Sequence, residues 1–145
     1  MSVKLSLSGV KEIDAVLKGL PLQFQDRVLK NTHADAAKPG VNAAKAIVPV
    51  DKGTLRDAIG IERVSIKRTN EVGLVQFGPL RGGGKKGYHG HLIEFGKTNR
   101  DGSKTKAQPF MEPAFNQTKG EIENRIKESL GRKVLSFMKS KIKNG

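Results

Sequence analysis

Tyr88-His89-Gly90-His91-Leu92-Ile93-Glu94-Phe95-Gly96, followed by Gln108-Pro109-Phe110-Met111-Glu112-Pro113-Ala114-Phe115, is the most informative part of the chain, and neither half reads as a catalytic motif. Between the halves, Lys97–Ala107 is rich in Lys, Arg, Thr, Asp and Gly and reads as a flexible loop. Beyond them, Ile122, Ile126, Leu130, Val134 and Met138 recur four residues apart, the mark of a long amphipathic helix. Leu135, Phe137 and Ile142 widen that stripe. Gly131 weakens the helix by about 1 kcal/mol relative to Ala and points to a bend or a close packing contact there.

On the other side of the decisive stretch, Gly82-Gly83-Gly84-Lys85-Lys86-Gly87 is a second flexible loop. Ile59–Lys67 and Glu71–Phe77 are strand candidates, with Thr69-Asn70 as the turn between them. Val64 and Ile66 alternate with polar neighbours, as a one-faced antiparallel sheet requires. Val50–Asp57 reads as a turn into a short element. Leu22 to Ile47 reads as a broken helix, with Phe24, Val28, Thr32 and Ala36 four apart. Pro39-Gly40 interrupts it, because Pro removes a helix hydrogen bond. Val10, Ile13, Val16, Leu17 and Leu20 predict a short helix closed by Gly19 and Pro21. Val3, Leu5 and Leu7 alternate as in a half-buried strand. Strands in the middle and helices on either side make the class α+β. The expected architecture is a small antiparallel sheet packed against two or three helices, in one domain spanning 1–145.

Composition narrows the function. With no Cys, disulfides, thiolate metal sites and Cys catalysis are excluded, which suits a reducing cytoplasm. Lys4 is followed by no long apolar run, so no signal peptide is expected. No segment approaches the roughly 20 apolar residues of a membrane span, so no membrane partner is expected. Aromatics make up only 5 % of the chain, which therefore is expected to complete its buried surface against neighbouring subunits. The net charge of +13 calls for an anionic partner, nucleic acid or an acidic protein surface.

Three constellations tempt toward chemistry. His89-x-His91-x-x-Glu94 offers three metal ligands; on a strand the two His would share a face that Glu94 leaves, and His33 lies far away. Gly78–Lys86 departs from a phosphate loop, since Gly84 stands where the Lys belongs and no Ser or Thr follows Lys85-Lys86. Glu121, Glu123 and Glu128 sit beside Lys119, Arg125 and Lys127 as solvated helix faces, not as paired catalytic carboxylates. No catalytic, cofactor or metal residues are therefore expected. The basic residues gather in two places. One holds Arg81, Lys85, Lys86, Lys97, Arg100, Lys104 and Lys106; the other is the final helix, with Arg132, Lys133, Lys139, Lys141 and Lys143. With few aromatics beside them, sequence-blind charge contact with DNA, or contact with a protein partner, is what they suit.

A third element, Val48-Pro49-Val50-Asp51-Lys52-Gly53-Thr54-Leu55-Arg56-Asp57-Ala58-Ile59, precedes the other two. In that order they resemble the tail-component family of long-tailed bacteriophages, head–tail joining or tail-completion proteins similar in kind to the minor tail protein Z of lambda-like phages. The resemblance runs from about Val10 to Ile142. It implies a structural protein of the phage neck, forming a ring, six-fold by expectation, around double-stranded DNA. Neighbouring neck and tail proteins would be its partners, and the virion, assembled in the host cytoplasm, its location. Gly53, Leu55, Arg56, Glu94, Phe95, Gly96, Pro109, Phe110 and Pro113 would then be packing residues of the family motifs. Leu55, Ile59, Ile93, Phe95, Phe110 and Phe115 are the expected core positions, and Glu94 could pair with Arg56 as a polar clamp. The alternatives are a small basic, sequence-non-specific DNA-binding module and, behind it, a metal-dependent nuclease using His89, His91 and Glu94.

Overall fold

The computed structural model describes residues 3–5, 11–50, 53–81 and 84–144, with side chains for 15–50, 53–81, 84–133, 135 and 136. Leu7, Val10, Gly82 and Gly83 therefore lie outside the described residues. So do the side chains of Ile13, Val134, Phe137, Lys139, Lys141, Lys143, Met138 and Ile142.

After strand β1 (Val3–Leu5) and helix α1 (Lys11–Lys18) comes the interrupted helix expected from the sequence, as α2 (Leu22–Ala36) and α3 (Lys38–Ile47). Pro21 starts α2 with its ring-fixed φ of −53°. The break falls at Ala37, one residue before Lys38-Pro39, where the missing Pro N–H is tolerated in the first turn of α3. Ala37 keeps right-handed helical angles, so one buried stripe runs through both helices. It comprises Leu29, Thr32, His33, Ala36, Ala37, Gly40, Val41, Ala44 and Val48.

Helix α4 (Thr54–Ala58) leads into β2 (Ile59–Arg63), which pairs antiparallel with β3 (Val75–Pro79). Ile61 faces Phe77 in that register, and β1 adds on the other side to give the order β1-β3-β2. The sequence placed β2 too long and β3 too early. Ile66 belongs to a helical turn, α5 (Ile66–Thr69), because the Ser65 hydroxyl caps it by accepting from the Lys67 N–H. Asn70 closes the turn at φ 60°, the left-handed conformation Asn tolerates best among non-Gly residues.

Helix α6 (Gly90–Phe95), a two-residue hairpin of β4 (Lys97–Thr98) and β5 (Lys104–Thr105), and the long α7 (Met111–Asn144) complete the chain. The Lys97–Ala107 stretch thus contains paired backbone. Met111, Ala114, Thr118, Ile122, Ile126 and Leu130 form the buried stripe of α7, and its main contact is the stripe of α3. A Cβ at Gly131 would meet nothing within 4 Å, so close packing is not the reason for glycine there. The core joins both stripes to Leu17 of α1, Ile59 of β2 and Phe77 of β3. The fold is α+β, a small antiparallel sheet with helices and a long C-terminal helix.

One buried group, His33, has its titration shifted by the fold. The Nδ1 of His33 lies 2.7 Å from the Gly73 carbonyl and donates to it, while Nε2 has no hydrogen-bond partner among the described residues. Lys133, whose Nζ donates to the Thr32 hydroxyl at 2.6 Å, brings positive charge to the same place. Burial is the largest effect holding the His33 pKa below its ordinary value, and the Lys133 charge adds to it, against the opposing Gly73 hydrogen bond. A proton on Nε2 would be desolvated and repelled. With the folded pKa lowered, the unfolded chain binds more protons below about pH 6.5. The stabilising contribution is therefore complete above that pH and lost as pH falls toward the lowered folded pKa. Urea midpoints measured from pH 7.5 down to 5 should fall, and His33→Asn should remove that slope. An unchanged slope in the variant would place the titration elsewhere.

Candidate functional site

The two halves of the opening stretch meet in space. Glu94, on α6, is buried, and its carboxylate accepts hydrogen bonds from three backbone N–H groups. Phe110 and Met111 donate to Oε2 at 2.8 and 2.9 Å, and Glu112 donates to Oε1 at 3.1 Å. These belong to the start of α7, where a helix leaves its first amides without internal partners. Phe110 accepts the first helical bond, from the Ala114 N–H at 3.2 Å, and so stands as the N-cap. The next residue after Glu112 is Pro113, which has no N–H to satisfy. One carboxylate and one proline thus clear every orphan donor of the first turn, and the negative charge sits at the positive end of the helix dipole. The Glu-Phe-Gly and Pro-Phe-x-x-Pro segments are two sides of one latch.

The expected pairing of Glu94 with Arg56 does not occur. Arg56 is exposed and its Nε lies 3.5 Å from Asp57 Oδ1. Those two residues follow Gly53, whose φ of +76° starts α4, while Leu55 packs half-buried on the core. The latch closes through Gly96, where the chain leaves α6 at φ +77° and a Cβ would come 2.6 Å from the Thr105 carbonyl oxygen. The Gln108 N–H then bonds the Ile93 carbonyl at 2.8 Å. Pro109 is exposed and Pro113 half-buried.

The metal geometry imagined for His89, His91 and Glu94 does not form: α6 is a helix and not a strand, so His89 and His91 do not share a face, and the Glu94 carboxylate is taken up by three backbone amides. Gly87, Gly90 and Glu94 are buried, whereas Tyr88, His91 and Phe95 are exposed. Spacings of three and four residues separate each set, and a one-residue offset turns about 100° around a helix, so the exposed set forms a stripe beside the buried one. Among the described residues no three His, Cys, Asp or Glu groups could hold a metal ion together. Phe95 is 70 % exposed and Tyr88 51 %, which corrects the expectation that Phe95 packs in the core. Ile59 and Phe110 are buried, and Leu55, Ile93 and Phe115 are partly buried against the core. The Tyr88 ring leans on the His89 ring, with centroids 3.9 Å apart.

In sequence, α6 lies between the two basic loops. Arg81, Lys85 and Lys86 precede it and Lys97, Arg100, Lys104 and Lys106 follow; all are exposed. Lys85 donates to the Asp57 carbonyl at 3.1 Å, and the Gly87 N–H closes the first loop onto the Leu80 carbonyl at 2.8 Å. None of the seven forms an ion pair among the described residues. Asp101, the acidic residue among them, is engaged by the Ser103 hydroxyl at 2.6 Å and the Ser103 N–H at 2.9 Å, which lower its pKa. An open groove of about 620 Å³, with Ile61, Phe77 and Leu80 beside Arg63 and Arg68, ends at Arg81.

The sequence missed the exposed face of α6 and a contact at Gly73, whose N–H bonds Asp26 Oδ1 at 2.7 Å. The spacing of Gly87, Gly90 and Glu94 was the signal for the first; the second joins residues 47 apart and leaves none.

The family model described as "Bacteriophage HK97-gp10, putative tail-component" matches residues 11–96. That span runs from α1 through α6 and stops before the basic hairpin and α7. No curated protein and no solved structure matches the chain.

Proposed function

The chain belongs to the HK97-gp10-like family of bacteriophage tail components, and from that premise we propose that it is a structural protein of the phage neck. In this reading it joins head to tail, or completes the tail, as a homo-oligomeric ring around the DNA channel, six subunits closing by head-to-tail contacts. Assembly takes place in the host cytoplasm and the product stays in the virion. The role in this reading is architectural and not enzymatic: Glu94, the most buried carboxylate among the described residues, is committed to the α7 N-terminus.

Beyond family membership, the observation that carries the ring is the set of large apolar side chains left in solvent. Leu22, Phe24, Val50, Tyr88, Phe95 and Leu135 are each 45 % exposed or more, although the chain has few aromatics to spare. Neighbouring subunits and tail proteins would cover them. Double-stranded DNA passing through the ring would meet sequence-blind positive charge. In the described residues no helix is long and apolar enough to cross a membrane.

Light scattering and negative-stain imaging of the purified protein should find a closed ring. Adding it to heads and tails made without it should restore joined particles. The second reading, a small basic DNA-binding module, is favoured by the charge of +13 alone. A monomer or dimer that coats duplex DNA and restores no particles would support it and overturn the neck reading.

A further inference from the structure

We propose that the exposed side of α6 and of the turn that leads into it, with Tyr88, His91 and Phe95 at its crest and Leu92 beside them, docks an acidic amphipathic segment of a neighbouring tail protein. The inference rests on the tail-component role proposed above and names what one side of the protein recognises.

Three observations converge. The inner face of α6 and the turn before it are fixed: Gly87 in the turn and Gly90 in the helix are buried, a Cβ at Gly87 would come 2.5 Å from the Leu80 carbonyl oxygen, and Glu94 is clamped by three amides. A helix held so firmly from one side presents its other side as a rigid ridge, and rigid aromatics lose little entropy on binding. The ridge itself is apolar where solvent favours polar groups, with Phe95 70 % and Tyr88 51 % exposed. The chain segments that enter and leave α6, its two flanks, are both basic and exposed. Among residues 81–106 the carboxylates are Glu94, buried in the latch, and Asp101, engaged by Ser103, so neither answers the flanking charge.

An apolar crest between cationic flanks is complementary to a segment with apolar residues along one stripe and Glu or Asp on both borders. Duplex DNA fits the flanks but not the crest: it offers phosphates to the loops and would leave Tyr88 and Phe95 in water. A second copy of this chain fits the crest but opposes charge with charge. The acidic protein segment satisfies both.

The probe is a synthetic helix with Leu every third or fourth position and Glu elsewhere, compared with its Leu-to-Ser counterpart and with a duplex of about 20 base pairs. Titrated against the full-length protein, the amphipathic peptide should bind at least about tenfold tighter than the Ser peptide, and Tyr88→Ser/Phe95→Ser should abolish that preference. Gln23→Ser, which alters an exposed side chain on α2, should leave it unchanged. Both variants alter exposed side chains, and an unchanged thermal midpoint checks that they fold.

Equal binding of the two peptides, or equal binding by wild type and the double variant, overturns the proposal. So does a double variant that weakens duplex binding as much as peptide binding, which would make the ridge a nucleic-acid contact. Particle joining is read separately. Failure of the wild-type protein to restore joined particles removes the tail role, whereas wild-type joining by the double variant removes the docking ridge and leaves the tail role standing.

Discussion

Glu94→Ala should cost about 4 kcal/mol, because each of three charge-assisted hydrogen bonds contributes roughly 1.5–3 kcal/mol and some of the freed amides will recruit water. In a chain of 145 residues that loss lowers the thermal midpoint by about 10 °C. Glu94→Gln should cost roughly half as much, since one amide oxygen still accepts while the NH₂ opposes a backbone donor. Urea titration supplies the comparison. Arg56→Ala is the informative control: its ion pair with Asp57 is exposed on both sides and should be worth under about 0.5 kcal/mol. Equal losses for Arg56→Ala and Glu94→Ala, failing to add in the double variant, would restore the Glu94–Arg56 clamp and refute the latch. The functional consequence follows from position. The basic hairpin lies between the two halves of the latch, so opening it should also blur the charged flanks of α6.

Local rules made the helical parts of this fold legible. Pro39 announced the break between α2 and α3, and the four-residue rhythm of Ile122, Ile126 and Leu130 announced α7. The strands were harder because their limits depend on capping and register. Val64 and Ile66 alternate as strand residues do, yet the Ser65 hydroxyl diverts the chain into a helical turn, a local side-chain contact outcompeting a pattern. Glu94 was legible as a motif residue but not as a cap. Its three donors are sixteen to eighteen residues away, and a sequence scan for helix caps looks only at the residues adjoining the helix. The exposed Phe95 was misplaced for the same reason: a phenylalanine beside a buried glutamate reads as core until the helix phase is known, and then it falls about 100° around the axis, in solvent. Where the partner surface lies was therefore hidden behind a question of local geometry.

Gly73→Ala should be among the most damaging single methyl additions at the described glycines, at roughly 2–5 kcal/mol. Two terms add. The backbone sits at φ +72°, where a residue with a Cβ costs about 1–2 kcal/mol. That Cβ would also stand 2.4 Å from the Cβ of Leu29, an atom held by the α2 backbone and unable to swing aside. Relief requires the β2–β3 connection to move off α2. Doing so stretches both hydrogen bonds that pin it there, Gly73 N–H to Asp26 at 2.7 Å and the Gly73 carbonyl to His33 at 2.7 Å. Strain in a packed interior of this kind typically adds 1–3 kcal/mol. Gly102 separates the terms: its φ is +86°, but a Cβ there meets nothing within 4 Å. Gly102→Ala should therefore show the conformational cost alone, about 1 kcal/mol, and the difference between the two variants measures the crowding against Leu29. If both substitutions cost the same in urea titrations, the close approach of the β2–β3 connection to α2 is wrong. If Gly73→Ala also flattens the acid slope assigned to His33, the two observations share one cause, because moving the β2–β3 connection off α2 lets water reach the imidazole and removes the burial that lowers its pKa.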